Sequence, residues 1–225
     1  MLRPSKKVAV VLSGCGFKDG AEITESVSTL IALSEFGIAY QCFAPNMEIT
    51  PAQHSSMPAS ASVPLVPRRL LDEAGRICRG QIQDIVKLDP GDFDAVIFPG
   101  GYGAALHLCT WAKAGARCEV HPEVERVVKG FHAADKPIGA ICIAPAMIAR
   151  ILGSTGLTLT IGEDPETAAE IAKTGAHHVR CSVTEYVSDR DHKVLTTPAY
   201  MYDHAKPNEV FTGVRKMIKE LAEMA

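Results

Sequence analysis

Lys7-Val8-Ala9-Val10-Val11-Leu12, followed at once by Ser13-Gly14-Cys15-Gly16, decides the fold class. A strand with one solvated face alternates apolar with polar side chains, whereas this run is apolar throughout after Lys7 and so reads as buried on both faces. Such a strand belongs in the middle of a parallel sheet, and the glycine-rich turn after it has to feed a crossover helix. From Ala21 onward Ile23, Val27, Leu30 and Ile31 recur at helical spacing, Gly37 supplies a stop, and a second apolar run spans Ile38 to Phe43. The result is a β-α-β unit.

The same alternation continues outward. Ala44 to Pro67 interrupts it with Pro45, Pro51, Pro58, Pro64 and Pro67, a composition that breaks helices and strands alike and reads as an irregular excursion. Asp72 to Cys78 then reads as a short helix, Gln83 to Leu88 as a strand, and Ala95 to Phe98 as a buried strand ending in Pro99-Gly100-Gly101. A helix around Val120 to Ala134, a strand at Ile138 to Ile141, a helix at Ala144 to Leu152 and a strand at Leu157 to Ile161 follow. Asp164, as N-cap ahead of Pro165, opens a helix that Gly175 closes. Strands at Val183 to Val187 and Lys193 to Thr196 and a helix at Glu209 to Ala222 complete the chain. One α/β sandwich, a mostly parallel sheet covered on both sides, accounts for residues 1–225, with ligands expected beyond the carboxyl ends of the strands.

Composition excludes several functions. With 23 basic and 26 acidic side chains among 225 residues and no basic run, the chain has no electrostatic grip on nucleic acid or on anionic membranes. No early apolar stretch is long enough for a signal-peptide core or a spanning helix, and the expectation is a cytoplasmic protein. Seven cysteines, the closest pair nine residues apart, contain no C-x-x-C and read as free thiols. The histidines show no metal-ligand spacing, so no metal is expected. Gly14-Cys15-Gly16 lacks the third glycine of a dinucleotide fingerprint, Asp19 standing in its place, so no nicotinamide cofactor is expected either.

The chemistry concentrates at strand ends. At Pro137-Ile138-Gly139-Ala140-Ile141-Cys142-Ile143-Ala144-Pro145 a strand passes into a helix with almost no loop, the architecture of a nucleophile elbow, and the free N–H groups of the helix start favour a thiolate at Cys142. Phe98-Pro99-Gly100-Gly101-Tyr102-Gly103 would bring backbone N–H groups beside it if the two strands are neighbours. Glu25 and Glu22, in the first turns of the first helix, could exchange a proton with a thiol. Asp19-Gly20-Ala21-Glu22 has the spacing of a capping box, with Asp19 as N-cap and Glu22 reaching back, which leaves Glu25 the preferred acid/base and Glu22 a second candidate.

Together with Val10 to Gly16, Asp19 to Ile23, Phe98 to Ala105, Cys142 to Pro145 and Thr196 to Tyr200, these motifs closely resemble the bacterial ElbB proteins of the PfpI-like branch of the class I glutamine amidotransferase-like superfamily. The resemblance spans nearly the whole chain. It implies a flavodoxin-like three-layer sandwich, a glyoxalase III-like activity on small 2-oxoaldehydes without added cofactor, a link to isoprenoid biosynthesis, and a homodimer. It also implies Cys142 as nucleophile, Glu25 with Glu22 as acidic partner, Gly100, Gly101 and Ile143 as oxyanion donors, and Thr197 and Pro198 lining the pocket. Many members of that superfamily carry a histidine soon after the elbow cysteine, where this chain has Gly162 and Glu163. Activation then falls to the helix terminus and a carboxylate, or to His177 or His178 folding back. Two other readings are a glutamine amidotransferase-like subunit with an incomplete triad and a redox or stress-response protein in which Cys142 is oxidised.

Overall fold

The computed structural model describes residues 6–49, 52–54 and 66–225. In chain order the strands are β1 (Lys7–Val11), β2 (Ala39–Ala44), β3 (Glu48–Ile49), β4 (Arg68–Arg69), β5 (Ile82–Asp84), β6 (Ala95–Phe98), β7 (Ile138–Ile141), β8 (Thr158–Leu159), β9 (His177–His178), β10 (Val187–Asp189) and β11 (Val194–Thr197). The α-helices are α1 (Ile23–Glu35), α2 (Leu70–Gly75), α3 (Trp111–Ala114), α4 (Pro122–Ala133), α5 (Ala144–Leu152), α6 (Pro165–Ala172) and α7 (Pro207–Met224).

Seven strands form the central sheet in the order β10-β11-β7-β6-β1-β2-β5. All pairs are parallel except β10 with β11. Alternate side chains of each central strand enter opposite cores, as the period of a strand requires. Ala9, Val11, Val96 and Phe98 face one layer, which holds Val124, Val127 and Phe131 of α4 and Met147 and Ile148 of α5. Val8, Val10, Ile97 and Ile141 face the other, which holds Leu33 of α1, Leu70 of α2 and Val214, Met217 and Leu221 of α7. This is the flavodoxin-like sandwich with a mostly parallel sheet that the alternating pattern implies. At Gly139 α7 approaches closely enough that a Cβ would lie 3.0 Å from Leu221 Cδ1, so a larger residue would require the Leu221 side chain to shift by a few tenths of an ångström.

Four local expectations change. The strand expected at Val183 to Val187 begins only at Val187 and runs to Asp189, because the chain before it turns, with the Glu185 N–H donating to the Ser182 carbonyl at 3.0 Å. Of the strand expected at Leu157 to Ile161, only β8 forms, and it pairs with β9 outside the main sheet. The Thr160 N–H donates to Thr196 Oγ1 at 2.9 Å and the Gly162 N–H to Thr160 Oγ1 at 2.9 Å, so hydroxyls take the place of a ladder. The strand expected at Gln83 to Leu88 is only β5, followed by a 3₁₀ turn at Ile85–Lys87 that Asp84 caps. Finally, the apolar stripe of α1 is turned outward: Ile23, Val27 and Ile31 are 48%, 37% and 50% exposed, while Glu25, Ser26, Ser28, Thr29, Ala32 and Leu33 are buried. Ser26 Oγ and Thr29 Oγ1 donate to the carbonyls of Glu22 and Glu25, which removes much of the penalty of burying them. Of the proline-rich excursion, residues 50–51 and 55–65 lie outside the described residues.

Candidate active site

The carboxyl ends of β6, β7 and β11 meet because β7 lies between the other two, with Phe98 opposite Ala140 and Thr197 opposite Ile141. Cys142 follows β7 immediately, and its φ of 62° puts a non-glycine residue in left-handed backbone. That strain is held by the N–H of Cys142, which donates to the Thr197 carbonyl at 2.9 Å, and by α5 starting two residues later. The thiol is thereby lifted off the end of the sheet. Gly100 has to be glycine, since a Cβ there would lie 2.5 Å from Cys142 Cβ and 2.8 Å from a Glu25 carboxyl oxygen.

Glu25 is fully buried on the inward face of α1. Its Oε2 accepts from the Gly100 N–H at 3.0 Å, its Oε1 accepts from the Tyr200 N–H at 3.2 Å, and its carboxyl is hydrogen-bonded to the Cys142 thiol. The turn that delivers the Tyr200 amide contains a second strained residue, Ala199 with φ 43°. Burial, reinforced by the charge of Glu22, pushes the Glu25 carboxyl up to about 8, against the three hydrogen bonds it accepts. Burial and then the Glu25 charge likewise push the Cys142 thiol well above its usual range, although the N–H groups of Gly101 and Ile143 act in the opposite direction. The expectation that the helix start would leave Cys142 ionised is therefore corrected: in the closed site burial outweighs the backbone donors, and the resting pair holds its protons.

Glu22 has a different place from the one its spacing suggests. It is itself the N-cap of α1, its Oε2 accepting the Glu25 N–H at 2.7 Å, while its own N–H donates to the Gly100 carbonyl at 3.0 Å. Asp19, expected as the cap, instead accepts from the Ala52 N–H and faces His54 at 3.5 Å. Glu22 thus orients Glu25 and the Gly100 turn.

The expected donors divide in two. The N–H groups of Gly101 and Ile143 point at the Cys142 sulfur. That of Gly100 is committed to Glu25 and is not free for an oxyanion. Thr197 turns its hydroxyl away, donating to the Glu185 carbonyl at 2.8 Å, and meets the site only through its carbonyl. Pro198 begins the 3₁₀ turn that aims the Tyr200 N–H, a donor that no spacing rule identifies. Neither histidine is among the groups that act on the thiol: burial lowers the affinity of His178 for a proton and its Nε2 is buried without a hydrogen-bond partner, whereas His177 is exposed. The groups acting on the Cys142 sulfur are Glu25 and two amides. Among the described residues no group of three or more His, Cys, Asp or Glu side chains is placed to hold a metal ion, and no helix is long and apolar enough to cross a membrane.

Comparison with known proteins agrees with this architecture. The chain is 40% identical over 232 aligned residues to human glutamine amidotransferase-like class 1 domain-containing protein 3, mitochondrial, covering 99% of this chain and 84% of that protein. It is 36% identical to the zebrafish (Danio rerio) ES1 protein, mitochondrial, over 96% of this chain and 85% of the relative. An isoprenoid biosynthesis protein with amidotransferase-like domain from Ehrlichia chaffeensis superposes with a TM-score of 0.88 at 32% identity, covering 98% of this chain and 99% of that one. The family model for DJ-1/PfpI matches residues 6–203, which include Glu25, Gly100, Gly101, Cys142 and Tyr200. The chain belongs to the DJ-1/PfpI family.

Proposed function

We propose that this protein is a glyoxalase III-like enzyme that converts glyoxal or methylglyoxal to a 2-hydroxy acid without added cofactor. The observation that carries this reading is the buried Cys142–Glu25 pair, a nucleophile and a proton carrier in direct contact at the mouth of the sheet. Glu25 as carboxylate takes the thiol proton while sulfur bonds to the aldehyde carbon, and passes it to the aldehyde oxygen, giving a hemithioacetal and restoring the carboxylate. Glu25 then moves the proton of that carbon to the neighbouring carbon through an enediol, which turns the adduct into a thioester of the 2-hydroxy acid. Water cleaves the thioester and returns Cys142 to the thiol. The N–H groups of Gly101 and Ile143 stabilise the oxyanions formed on the way.

The test is lactate formation from methylglyoxal. Cys142→Ala should abolish it and Glu25→Gln should reduce it by orders of magnitude, while unchanged turnover in the Cys142 variant removes the mechanism. Glutamine consumption by the wild-type chain would favour an amidotransferase role instead. A homodimer built on the exposed Ile23, Val27 and Ile31 stripe belongs to the same reading, because an apolar helix face of this kind calls for a partner surface. The named relatives from human and zebrafish are mitochondrial, so the compartment in which this chain acts is part of the proposal and not of the fold.

A further inference from the structure

The glycine-rich turn after β6 is fastened to the loop after β1. Three backbone bonds join them: the Glu22 N–H donates to the Gly100 carbonyl at 3.0 Å, the Tyr102 N–H to the Phe17 carbonyl at 2.7 Å, and the Gly103 N–H to the Gly20 carbonyl at 3.0 Å. A side chain supplies a fourth bond, with His107 Nε2 lying 2.9 Å from the Asp19 carbonyl oxygen. We infer that His107 is a positioning residue, whose Nε2–H holds the 16–22 loop against the Gly100–Gly103 turn and thereby fixes the Gly101 amide beside Cys142. The effect on turnover rests on the glyoxalase reading, whereas the placing of the amide does not.

The two loops leave the amide no room to shift alone. A Cβ at Gly101 would lie 2.5 Å from the Glu22 nitrogen, and one at Gly103 would lie 2.5 Å from Gly20 Cα, so backbone packs directly on backbone at both positions. On its other side the turn abuts the nucleophile, a Cβ at Gly100 falling 2.5 Å from Cys142 Cβ. Gly101 itself has φ 88°, left-handed backbone that glycine adopts without strain. Where the 16–22 loop goes, Gly101 therefore follows. Asp19 is gripped from both sides, its carboxylate accepting from the Ala52 N–H and its carbonyl bonded to His107. Because Asp19 is 7% exposed, removing the imidazole costs a buried carbonyl a hydrogen bond and loosens the seat of the loop.

His107 reaches that carbonyl from a π-helical turn, Ala104–Leu108, which the Cys109 N–H closes by donating to the Ala104 carbonyl at 3.2 Å. Single π turns are rare and gather at functional sites. A carbonyl oxygen can only accept, so the ring carries its hydrogen on Nε2. Burial lowers the affinity of the half-buried ring for a second proton, against the bond to the Asp19 carbonyl and the Asp19 charge, and the imidazole is neutral near pH 7. It is not among the groups that act on the Cys142 sulfur, which are Glu25 and two amides. His107 therefore acts through the loop and not by moving a proton.

Three substitutions separate the donor from the shape. His107→Leu removes the donor, His107→Asn carries an amide at the reach of Nδ1, and His107→Gln carries one near the reach of Nε2. With methylglyoxal, His107→Leu and His107→Asn should lower kcat about 10- to 100-fold, less than outright loss of an oxyanion donor, and leave KM within about twofold, because the Gly101 amide meets a charge that develops only as sulfur bonds. His107→Gln should recover kcat to within about threefold and keep the wild-type pH profile. Nuclear magnetic resonance of the ¹⁵N-labelled full chain reads the placement without any substrate: the His107 ring should show the Nε2–H tautomer, and the Gly101 and Gly103 amide signals should move in His107→Leu and return in His107→Gln. A wild-type chain that makes no lactate would remove the glyoxalase reading and leave the amide signals to decide the positioning role. If His107→Leu fails to fold, the wild-type tautomer and the His107→Gln protein still decide it. An Nδ1–H tautomer, a Gly101 amide unmoved in a folded His107→Leu, or a His107→Gln protein as slow as His107→Leu would overturn the assignment.

Discussion

Replacing Glu25 with glutamine preserves size and removes ionisation, and the structure gives this change two effects of opposite sign. Both carboxyl oxygens accept a backbone N–H, from Gly100 at 3.0 Å and from Tyr200 at 3.2 Å. A glutamine side chain has one oxygen and one NH₂ group, so one buried donor loses its acceptor, destabilising the fold by about 1–3 kcal/mol at every pH. The second effect is a titration. The folded-state carboxyl is raised to about 8 from an ordinary value of 4.5. Below 4.5 folded and unfolded chains are both protonated, and between the two values only the unfolded chain gives up the proton. Native stability from this group is therefore greatest at low pH and falls by about 1.4 kcal/mol per pH unit across the window, about 5 kcal/mol in all, before levelling above pH 8. The variant has no such slope.

Urea denaturation followed by the fluorescence of Trp111, the one tryptophan of the chain, measures both proteins. At about pH 5 Glu25→Gln should be the less stable by up to about 2 kcal/mol, the order should reverse between about pH 5 and 7, and by about pH 8 the variant should be ahead by roughly 2 kcal/mol. Other titrating groups are common to the two chains and cancel in the difference. A gap that stays constant with pH would mean that Glu25 ionises like a solvated carboxylate, and the account of a proton-holding pair would fail.

Turnover should follow the same group. If Glu25 must be a carboxylate to receive the thiol proton, kcat/KM for methylglyoxal should climb about tenfold per pH unit below 8 and level above it, and a profile that falls over this range would contradict that order of proton movement. Gly100→Ala would place a Cβ 2.5 Å from Cys142 Cβ and 2.7 Å from the Ile141 carbonyl oxygen, so a loss of about 1–3 kcal/mol by denaturation should accompany loss of activity. Val27→Asp, on the exposed stripe of α1, should shift a dimer toward monomer in sedimentation equilibrium with little change in the folding of the monomer itself, and an unchanged mass would place any partner surface elsewhere.

Much of the frame was legible because strands buried on both faces have few alternatives. Lys7–Val11, Ala95–Phe98 and Ile138–Ile141 are apolar on both sides, and each occupies the middle of the sheet. The elbow was legible for a related reason: a strand that runs into a helix without a loop forces the intervening residue into unusual backbone, and Cys142 is that residue. Helix α1 is legible as a helix, but its facing is not. Periodicity identifies a stripe but not which neighbour covers it, and here the polar side carries the group the site needs while hydroxyl-to-carbonyl bonds make its burial tolerable. Glu22 takes the N-cap role that the spacing assigned to Asp19, because the 14–20 loop turns Asp19 toward Ala52 and His54 instead. The Tyr200 amide was invisible because a backbone donor has no signature beyond the turn that aims it.

The ionisation of Cys142 is a contest between two terms of unequal size. A helix start favours a nearby anion by about 0.3–1 kcal/mol when exposed and up to about 2 kcal/mol when partly buried. Taking a charge out of water opposes it by several kcal/mol. Spacing reveals the helix start, but only the folded site reveals that the sulfur is sealed beneath Gly100 and faces a carboxyl that is itself raised. A standing thiolate is thus the wrong resting state for this site. The useful property is that thiol and carboxyl are in contact: once Glu25 has lost its proton, transfer of the thiol proton to it keeps the single negative charge within one buried pair. Nucleophilicity then arises as the S–C bond forms, when the negative charge passes to a substrate oxygen within reach of the Gly101 and Ile143 amides, and in the empty pocket it stays suppressed.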